Sequence, residues 1–259
     1  YAFQLGSLKI LLSDDIRVNA RIIYRRTVMD RAPTAMPFLD FDKDPYPTIT
    51  DAGQMKWILD AYTTSDMYPY SQRTNDGTNY MRNSVKVVID AYDGNVDAYI
   101  ADPNDPGVQT YARIFGPIFK PLSEMPADIR RHVRYPGDLF RIQTALHATY
   151  HMLQPETFYH REDQWQIPGG LAKGTSENPF QRHIILKLPG EKNPEFIFMT
   201  PFTPRGKDNL AAWMVARMDG DNYGKLSVYR FPKQSLVYGP KKIANRIKQY
   251  TESSRQRPW

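Results

Sequence analysis

The sequence contains a near-repeat that constrains the fold more than any other feature does. The string KWILDAY at residues 56–62 returns thirty residues later as KVVIDAY at residues 86–92. Both copies are rich in β-branched and aromatic residues, which favour strands. The repeat therefore predicts two strands of a sheet, and these strands enclose a polar, tyrosine-rich segment at residues 63–84.

Turn residues beside these strands predict hairpins. Residues 46–50 and 55–62 flank a short polar turn with a glycine, and residues 85–92 and 95–101 flank an Asp-Gly turn. In the second hairpin apolar residues alternate with Lys86 and other residues. This alternation predicts one face on a core and one face, with Lys86 on it, that is partly wet.

Helical spacing alternates with the strand patterns along the rest of the chain. The longest predicted helix covers residues 137–153, with Leu139, Ile142, Leu146, Tyr150 and Leu153 facing inward. Hairpins and helices in this order favour an α+β fold, an antiparallel sheet built from hairpins and packed against several helices. The other predicted helices are 5–16, 108–115, a short one around 128–133, 210–218 and one that begins at Pro240, and the other strands are 21–26, 184–188, 196–199 and 225–231.

Length and charge narrow the domain organisation and the partners. A chain of 259 residues with 41% hydrophobic content predicts one large domain over 1–259, or two intimate lobes at 17–116 and 117–259. Thirty-four Lys and Arg against 28 Asp and Glu leave +6, which suits an anionic envelope polymer or a lipid headgroup, although a solvated surface explains so small an excess too. The basic residues are scattered and no nucleic-acid module is present, so no nucleic-acid partner is expected.

Two absences from the sequence exclude classes of chemistry and structure. The chain has no cysteine, which removes disulfides, thiolate catalysis and zinc sites that need sulfur. No stretch approaches the roughly 20 consecutive apolar residues of a transmembrane helix. The chain begins at Tyr1 without a methionine and ends at Trp259, so we expect it to be a piece of a longer protein.

The segment 63–84 is the first candidate for a binding surface. It is longer than the roughly 12–15 residues at which structureless loops become uncommon, and such loops are usually functional or mobile. Rigid amphipathic rings and forked donors give contact area at low entropic cost. The alternative is a loop that shields the edge of the sheet and satisfies its own backbone. The candidate binding residues are Tyr68, Tyr70, Arg73, Arg82 and Asn83.

His147 and His151 are the only candidate metal pair that spacing indicates. They are four residues apart on the predicted long helix, so their rings share one face. The zincin pattern requires a glutamate directly after the first histidine, and Ala148 stands there instead. A third ligand would have to come from His160, Glu162 or Asp163, and a pair of helix-surface or hydrogen-bonded histidines explains the same letters.

Two further stretches of the sequence have features of anion-binding sites. Arg205 and Lys207 precede the predicted helix 210–218, whose exposed amides would favour an anion. Asp208 or Asn209 offers the competing explanation, because either is a good N-cap that satisfies those amides. The glycine-rich stretch 169–175 lacks the glycine-lysine-hydroxyl order of a phosphate-binding loop and predicts an ordinary loop.

Several long, ordered motifs resemble those of one protein family. The motifs are DPYP (44–47), WILDAYTTS (57–65), NYMRNSVK (79–86), DAYDG (90–94), PGE (189–191), PFTP (201–204), NYG (222–224) and YRFPK (229–233). With these motifs the sequence is similar to the uncharacterised bacterial integral membrane proteins grouped as UPF0182. The resemblance implies several N-terminal transmembrane helices followed by a large extracytoplasmic part, of which this chain is an interior portion, at the cell membrane and beside its own transmembrane region. It implies no activity and no cofactor, and the family has an aromatic residue where this chain has His147.

Three functional hypotheses follow, and no complete catalytic or cofactor motif favours an enzyme. The leading hypothesis is a non-catalytic extracytoplasmic binding or assembly domain of a bacterial integral membrane protein, acting through residues 63–84. The first alternative is a cell-envelope hydrolase, which requires His151 in an open cleft within hydrogen-bond reach of a carboxylate. The second alternative is a structural scaffold for the membrane part.

Overall fold

The described part of the chain confirms the α+β class. The computed structural model describes residue 19, residues 25–169 and residues 180–255, with side chains up to residue 251. Over these residues the chain forms two largely antiparallel sheets and six helices. The expectations for 5–16 and for most of 21–26 and 169–175 lie outside the described residues.

The first sheet is built around the near-repeat. Its strands are β1 (Asp40–Phe41), β2 (Tyr46–Ile49), β3 (Met55–Ser65), β4 (Tyr80–Asp90), β5 (Val96–Ile100) and β6 (Phe119–Pro121). Their order in the sheet is β1-β3-β4-β5-β6, with β2 also paired to β3, and every pairing is antiparallel except β5 with β6. Both predicted hairpins are therefore confirmed.

The two copies of the repeat pair with each other. Ile58 lies opposite Val88, so that Lys56 faces Asp90 and Asp60 faces Lys86 about a local two-fold axis. The pairing continues past the repeat to Ser65 and Tyr80. The expectation that segment 63–84 lies outside both strands is therefore wrong, because its two ends extend the ladder and only residues 66–79 form the connection.

Both faces of the β3–β4 hairpin are covered. One face packs Leu59, Val85 and Val87 against helices α1 (Val28–Ala35) and α2 (Pro106–Ile114). The other face is covered by a second cluster of buried side chains, which includes Ile129 of α3 (Ala127–Arg130). The predicted wet face is therefore wrong, since Lys86 is 1% exposed. Helix α1 has Pro33 inside it, a residue that sequence patterns associate with loops.

The second sheet consists of β7 (Trp165–Gln166), β8 (Arg182–Lys187), β9 (Pro194–Pro204), β10 (Ala212–Arg217) and β11 (Leu226–Arg230). Their order is β11-β10-β9-β7, and β8 also pairs with β9. The predicted helix 210–218 is wrong, because Met214 of β10 lies opposite Thr200 of β9 and Val228 of β11. A strand that is paired on both sides and buried on both faces lacks the alternation of apolar and polar residues by which strands are recognised in a sequence.

Helix α4 (Gly137–Tyr150) packs on the second sheet through Phe140 and Ala148. The predicted inward face is wrong at its C-terminal end, where Leu146, Tyr150 and Leu153 are exposed. The remaining helices are α5 (Pro155–His160) and α6 (Pro240–Arg255).

None of the helices in the described ranges is both long and apolar enough to cross a membrane. The division into lobes at 17–116 and 117–259 stays a prediction, and the first sheet runs to Pro121.

Candidate functional site

A cleft of about 790 Å³ lies beside the C-terminal end of α4. The end of α4, helix α5, the turn after β9 and the end of β11 form its walls. Its volume is within the roughly 300–1,000 Å³ of ordinary small-ligand sites. The side chains that decide its chemistry are His151, Asp163, Trp165, Lys207, Arg230 and Lys233.

Basic side chains outnumber carboxylates in this cleft. The Arg230 guanidinium lies 5.7 Å from the centre of the Trp165 ring, a cation–π contact, and Lys233 pairs with Asp163 at 2.9 Å. Within the described residues, Arg230 and Lys207 form no ion pair. With Glu162 also in the lining, three cations face two carboxylates, and the cleft is suited to an anion.

His151 is held as a neutral imidazole at the inner wall of the cleft. It is 6% exposed, its ring stacks on Trp165 at 3.6 Å, and Nδ1 lies 3.1 Å from the His147 carbonyl oxygen. A carbonyl only accepts, so Nδ1 carries the proton and Nε2 is the unprotonated nitrogen. Burial lowers the pKa of His151, and the bond to the His147 carbonyl opposes that shift only in part.

The arrangement that a hydrolase requires is not present among the described residues. Nε2 of His151 is buried and has no hydrogen-bond partner among the described residues. The Asp163 carboxylate is near enough to raise the pKa of His151, but it forms no hydrogen bond with Nε2 and pairs with Lys233 instead. A general base must be able to reach the proton that it removes.

The histidine pair gains no third metal ligand in the described residues. The centres of the His147 and His151 rings are 6.1 Å apart, and Nε2 of each is buried without a hydrogen-bond partner among the described residues. Burial lowers the pKa of His147, and the neighbouring His151 and Arg230 lower it further. In residues 25–169 and 180–251, no group of three or more His, Cys, Asp or Glu is placed to hold a metal ion.

Arg205 and Lys207 lie in the turn after β9 rather than before a helix. The argument from a helix N-terminus is therefore wrong, because β10 follows. Arg205 donates to Gln164 at 3.4 Å, while Lys207 lines the cleft. Anion binding by these two residues stays a prediction, and for Lys207 it now depends on the cleft.

The predicted binding residues of segment 63–84 lie in different local environments. Tyr68 and Tyr70 are exposed on the connection 66–79, and Arg73 donates to a backbone carbonyl within that connection. Arg82 forms an ion pair with Asp102 at 3.3 Å. Asn83 is half-buried and donates a hydrogen bond to Asp60, as described next, and the binding role of all five residues stays a prediction.

A buried polar network lies on the same side of β3 and β4 as Asn83. Asn83 donates to Asp60 at 3.1 Å, and Asp60 forms an ion pair with Lys86, whose ammonium also donates to the Arg134 carbonyl at 3.2 Å. Burial lowers the pKa of Lys86, but the Asp60 carboxylate together with Tyr223 and Tyr46 outweighs burial, and the pKa is raised. The ion pair between Lys86 and Asp60 is therefore enclosed within the fold.

Connection 66–79 reaches the neighbourhood of the cleft. The Tyr150 hydroxyl lies 3.3 Å from Gln72, and Tyr150 directly precedes His151. The candidate surface and the candidate cleft are therefore neighbours at one end of α4.

Sequence reasoning missed the cleft residues Trp165, Arg230 and Lys233. The last two belong to the motif YRFPK at residues 229–233, which carried the family resemblance without a functional interpretation. The buried ion pair was also missed, and its signal was the shared Lys-x-x-x-Asp of the near-repeat.

The fold and site define an α+β protein with a basic cleft. A family model described as "Uncharacterised protein family (UPF0182)" matches residues 1–258, and the chain belongs to this family.

Similar proteins are much longer than this chain. It is 50% identical over 257 residues to a UPF0182 protein of Pelotomaculum thermopropionicum and 52% identical over 256 residues to one of Geobacter sulfurreducens. Each alignment covers 99% of this chain and 28% of the relative. A UPF0182 protein of Methanospirillum hungatei is 47% identical over 260 residues, with 98% of this chain and 29% of the relative covered. No solved structure matches the chain.

Proposed function

We propose that this chain is a non-catalytic extracytoplasmic binding domain of an integral membrane protein, and that its cleft binds an anionic polymer of the cell envelope. The observation that carries the proposal is the pair of cations, Lys207 and Arg230, that share one cleft and form no ion pair among the described residues.

The arrangement of these cations favours an extended anion. Trp165 holds the guanidinium of Arg230 in place at low entropic cost, and Lys207 and Lys233 add positive charge to the lining of the same cleft. A polymer with regularly spaced anionic groups can meet several such cations at once, and electrostatic complementarity speeds its association. A single headgroup would meet fewer of them.

The non-catalytic role is supported by the closed surroundings of His151. The extracytoplasmic location and the membrane part are supported by the family resemblance, and the curated relatives are more than three times as long as this chain.

An anionic glycan is expected to raise the thermal unfolding midpoint of this chain. A polyuronate is the probe and neutral dextran is the matched control, at constant ionic strength. Ligands that bind only the folded state raise the midpoint by mass action. Arg230→Gln and Lys207→Gln should each weaken the apparent affinity by about tenfold, corresponding to about 1.4 kcal/mol.

Arg113→Gln provides the control variant, because Arg113 is an exposed arginine on α2 and does not line the cleft. Equal responses to dextran and polyuronate would contradict the proposal and favour the structural scaffold. A response to phosphatidylglycerol vesicles but not to polyuronate would replace the polymer with a lipid headgroup.

We also propose that the tip of the β3–β4 hairpin contacts the transmembrane region of the same polypeptide in the longer family members. Met67 is 85% exposed, and Tyr68 and Tyr70 beside it are exposed as well. Such a patch of large apolar side chains on one turn is typical of an interaction site.

The absence of cysteine allows a direct test of this contact. A Tyr70→Cys variant should react with a membrane-impermeant thiol reagent in this chain and be protected in a full-length family member. Tyr92→Cys is the control, since Tyr92 is equally open on another turn. Equal labelling of Tyr70→Cys in both proteins would overturn the contact.

A further inference from the structure

Helix α6 carries an apolar stripe that is open to solvent. Ile243, Ile247 and Tyr250 follow the i, i+4, i+7 spacing that places side chains on one face of a helix. These three side chains, which we call the α6 stripe, are 46%, 60% and 70% exposed. Every residue from 245 to 251 is exposed as well, so the described part of the chain leaves this face uncovered.

The base of the same helix is fixed to the body of the protein. Gly239, which precedes the helix, donates its backbone N–H to the Asp208 carbonyl at 2.9 Å. A Cβ atom at Gly239 would lie 2.5 Å from that carbonyl oxygen, so the close approach requires glycine. Asp208 directly follows Lys207 of the cleft lining. The helix therefore starts from a fixed point beside the cleft.

The uncovered α6 stripe indicates a partner. Most helices in proteins owe their stability to the packing of an amphipathic face, and isolated helices of roughly 12–15 residues are marginal in water. The stripe also leaves three large apolar side chains in contact with water, and their burial would be favourable. A surface that covers the stripe would therefore stabilise the helix.

Basic side chains flank the α6 stripe on both sides. At 3.6 residues per turn, Lys241 and Lys248 lie on one side of it, and Lys242 and Arg246 lie on the other. The second pair is held against the Tyr238 ring, whose centre is 4.6 Å from the Lys242 ammonium and 5.0 Å from the Arg246 guanidinium. The stripe is thus bordered by cations along its length.

The charge of the helix stays positive when its surroundings are counted. Residues 240–251 contain four cations and no carboxylate. Glu252 and Arg255 cancel each other, which leaves +4 for the whole helix, and Asp208 at its base reduces this to +3. None of the four cations forms an ion pair with a described residue. The partner that fits this charge is anionic.

We propose that α6 lies on an anionic lipid surface, with the α6 stripe at the acyl chains and the flanking cations at the headgroups. A lipid surface places an apolar layer next to a layer of negative charge, and interfacial helices have this arrangement of an apolar face beside basic flanks. Tyr250 combines an apolar ring with a polar hydroxyl, which suits the boundary between the two layers. A protein groove would cover the stripe but would not account for cations on both sides.

The proposal does not depend on the polymer in the cleft, because the helix and the cleft share no residue. Cosedimentation with lipid vesicles tests it. The chain should bind phosphatidylglycerol vesicles at least tenfold more tightly than phosphatidylcholine vesicles, and the difference should shrink at high salt. The double variant Lys241→Gln with Lys248→Gln should weaken binding roughly thirtyfold. Ile243→Ser with Ile247→Ser should weaken it at least tenfold.

Ile185→Ser and Arg230→Gln are the controls for these variants. Ile185 is 69% exposed on β8, and Arg230 belongs to the cleft, so both variants should bind vesicles as the parent protein does. A loss of binding in Arg230→Gln but not in the α6 variants would assign the lipid to the cleft and overturn the proposal. No binding to either kind of vesicle would also overturn it, in favour of a polypeptide segment that covers the stripe.

A fluorophore on Ile247→Cys reports whether the α6 stripe enters the lipid. The chain has no cysteine, so an environment-sensitive dye labels this position alone. Its emission should shift to the blue on phosphatidylglycerol vesicles, and acyl chains that carry a doxyl group should quench it. Asn245→Cys, on the opposite face of the helix, is the matched control and should change little. Equal quenching at the two positions would contradict the proposed orientation and overturn the proposal.

Discussion

Replacing Lys86 with methionine is expected to lower the free energy of unfolding by about 3–5 kcal/mol. The Asp60 carboxylate is 3% exposed and Lys86 is its only cationic partner among the described residues. Methionine has a similar length and no charge, so the variant leaves Asp60 buried without its counter-charge. Urea unfolding at pH 7 measures the loss.

The near-repeat supplies a matched control for this prediction. Lys56 occupies the equivalent position and pairs with Asp90, but these side chains are 18% and 15% exposed. Lys56→Met should therefore cost about 1 kcal/mol or less. The double variant Lys86→Met with Asp60→Leu should recover most of the loss, because it removes both buried charges. Equal losses in Lys86→Met and Lys56→Met would show that burial does not set the effect.

Replacing Asp105 with alanine is expected to lower the free energy of unfolding by about 2–5 kcal/mol. Asp105 is fully buried and caps α2 by accepting the backbone N–H groups of Gly107 and Val108. It also accepts the hydroxyls of Thr63 and Ser84, each at 2.6 Å. Alanine would remove the cap and leave two interior hydroxyls with fewer partners.

The lowered pKa of Asp105 predicts that the free energy of unfolding depends on pH. Burial raises the pKa of Asp105, but hydrogen bonds from Ser84, Thr63 and the helix N-terminus outweigh it and the pKa is lowered. A carboxyl with a lowered pKa stabilises the fold fully above its unfolded pKa of about 3.9, and this stability is lost as the pH falls through the folded pKa.

The stability of the parent protein should therefore fall more steeply below pH 4 than that of Asp105→Asn. Urea midpoints between pH 3 and pH 6 test this. Asp102→Asn, which alters a partly exposed ion pair, is the control. Parallel pH profiles of the parent protein and Asp105→Asn would contradict the assignment.

The local patterns of the first sheet predict its hairpins because turns and strands are short-range signals. Residues 55–62 and 85–92 were predicted as strands, and the structure confirms both. Their pairing with each other was not predicted, because a sequence pattern does not show which strands are neighbours. Residues 63–65 and 80–84 were not predicted as strand, because the polar residues at the ends of these strands resemble a loop sequence.

The second sheet was predicted less well because tertiary contacts override local propensity. Residues 210–218 contain three alanines and two methionines, which favour helix, yet pairing with β9 and β11 makes residues 212–217 a central strand. On α4, the sequence places its large apolar residues inward, while the helix in fact packs through Phe140, Thr144 and Ala148. Thr144 and Ala148 are small residues that carry little hydrophobic signal.

The candidate cleft was only partly predictable for a similar reason. Lys207 and His151 were singled out separately, and the fold brings both to the lining of one cleft. Arg230 and Trp165 come from distant parts of the chain, 65 residues apart in number, and no spacing rule connects them.

The two-fold relation between β3 and β4 makes each strand complementary to itself as well as to its partner. In an antiparallel pair of two β3 strands centred on Ile58, Lys56 of each copy would face Asp60 of the other, and β4 centred on Val88 has the same property. The strands alone therefore do not distinguish an intramolecular from an intermolecular partner. The tether 66–79 makes that choice, because it keeps the correct partner at a high effective concentration.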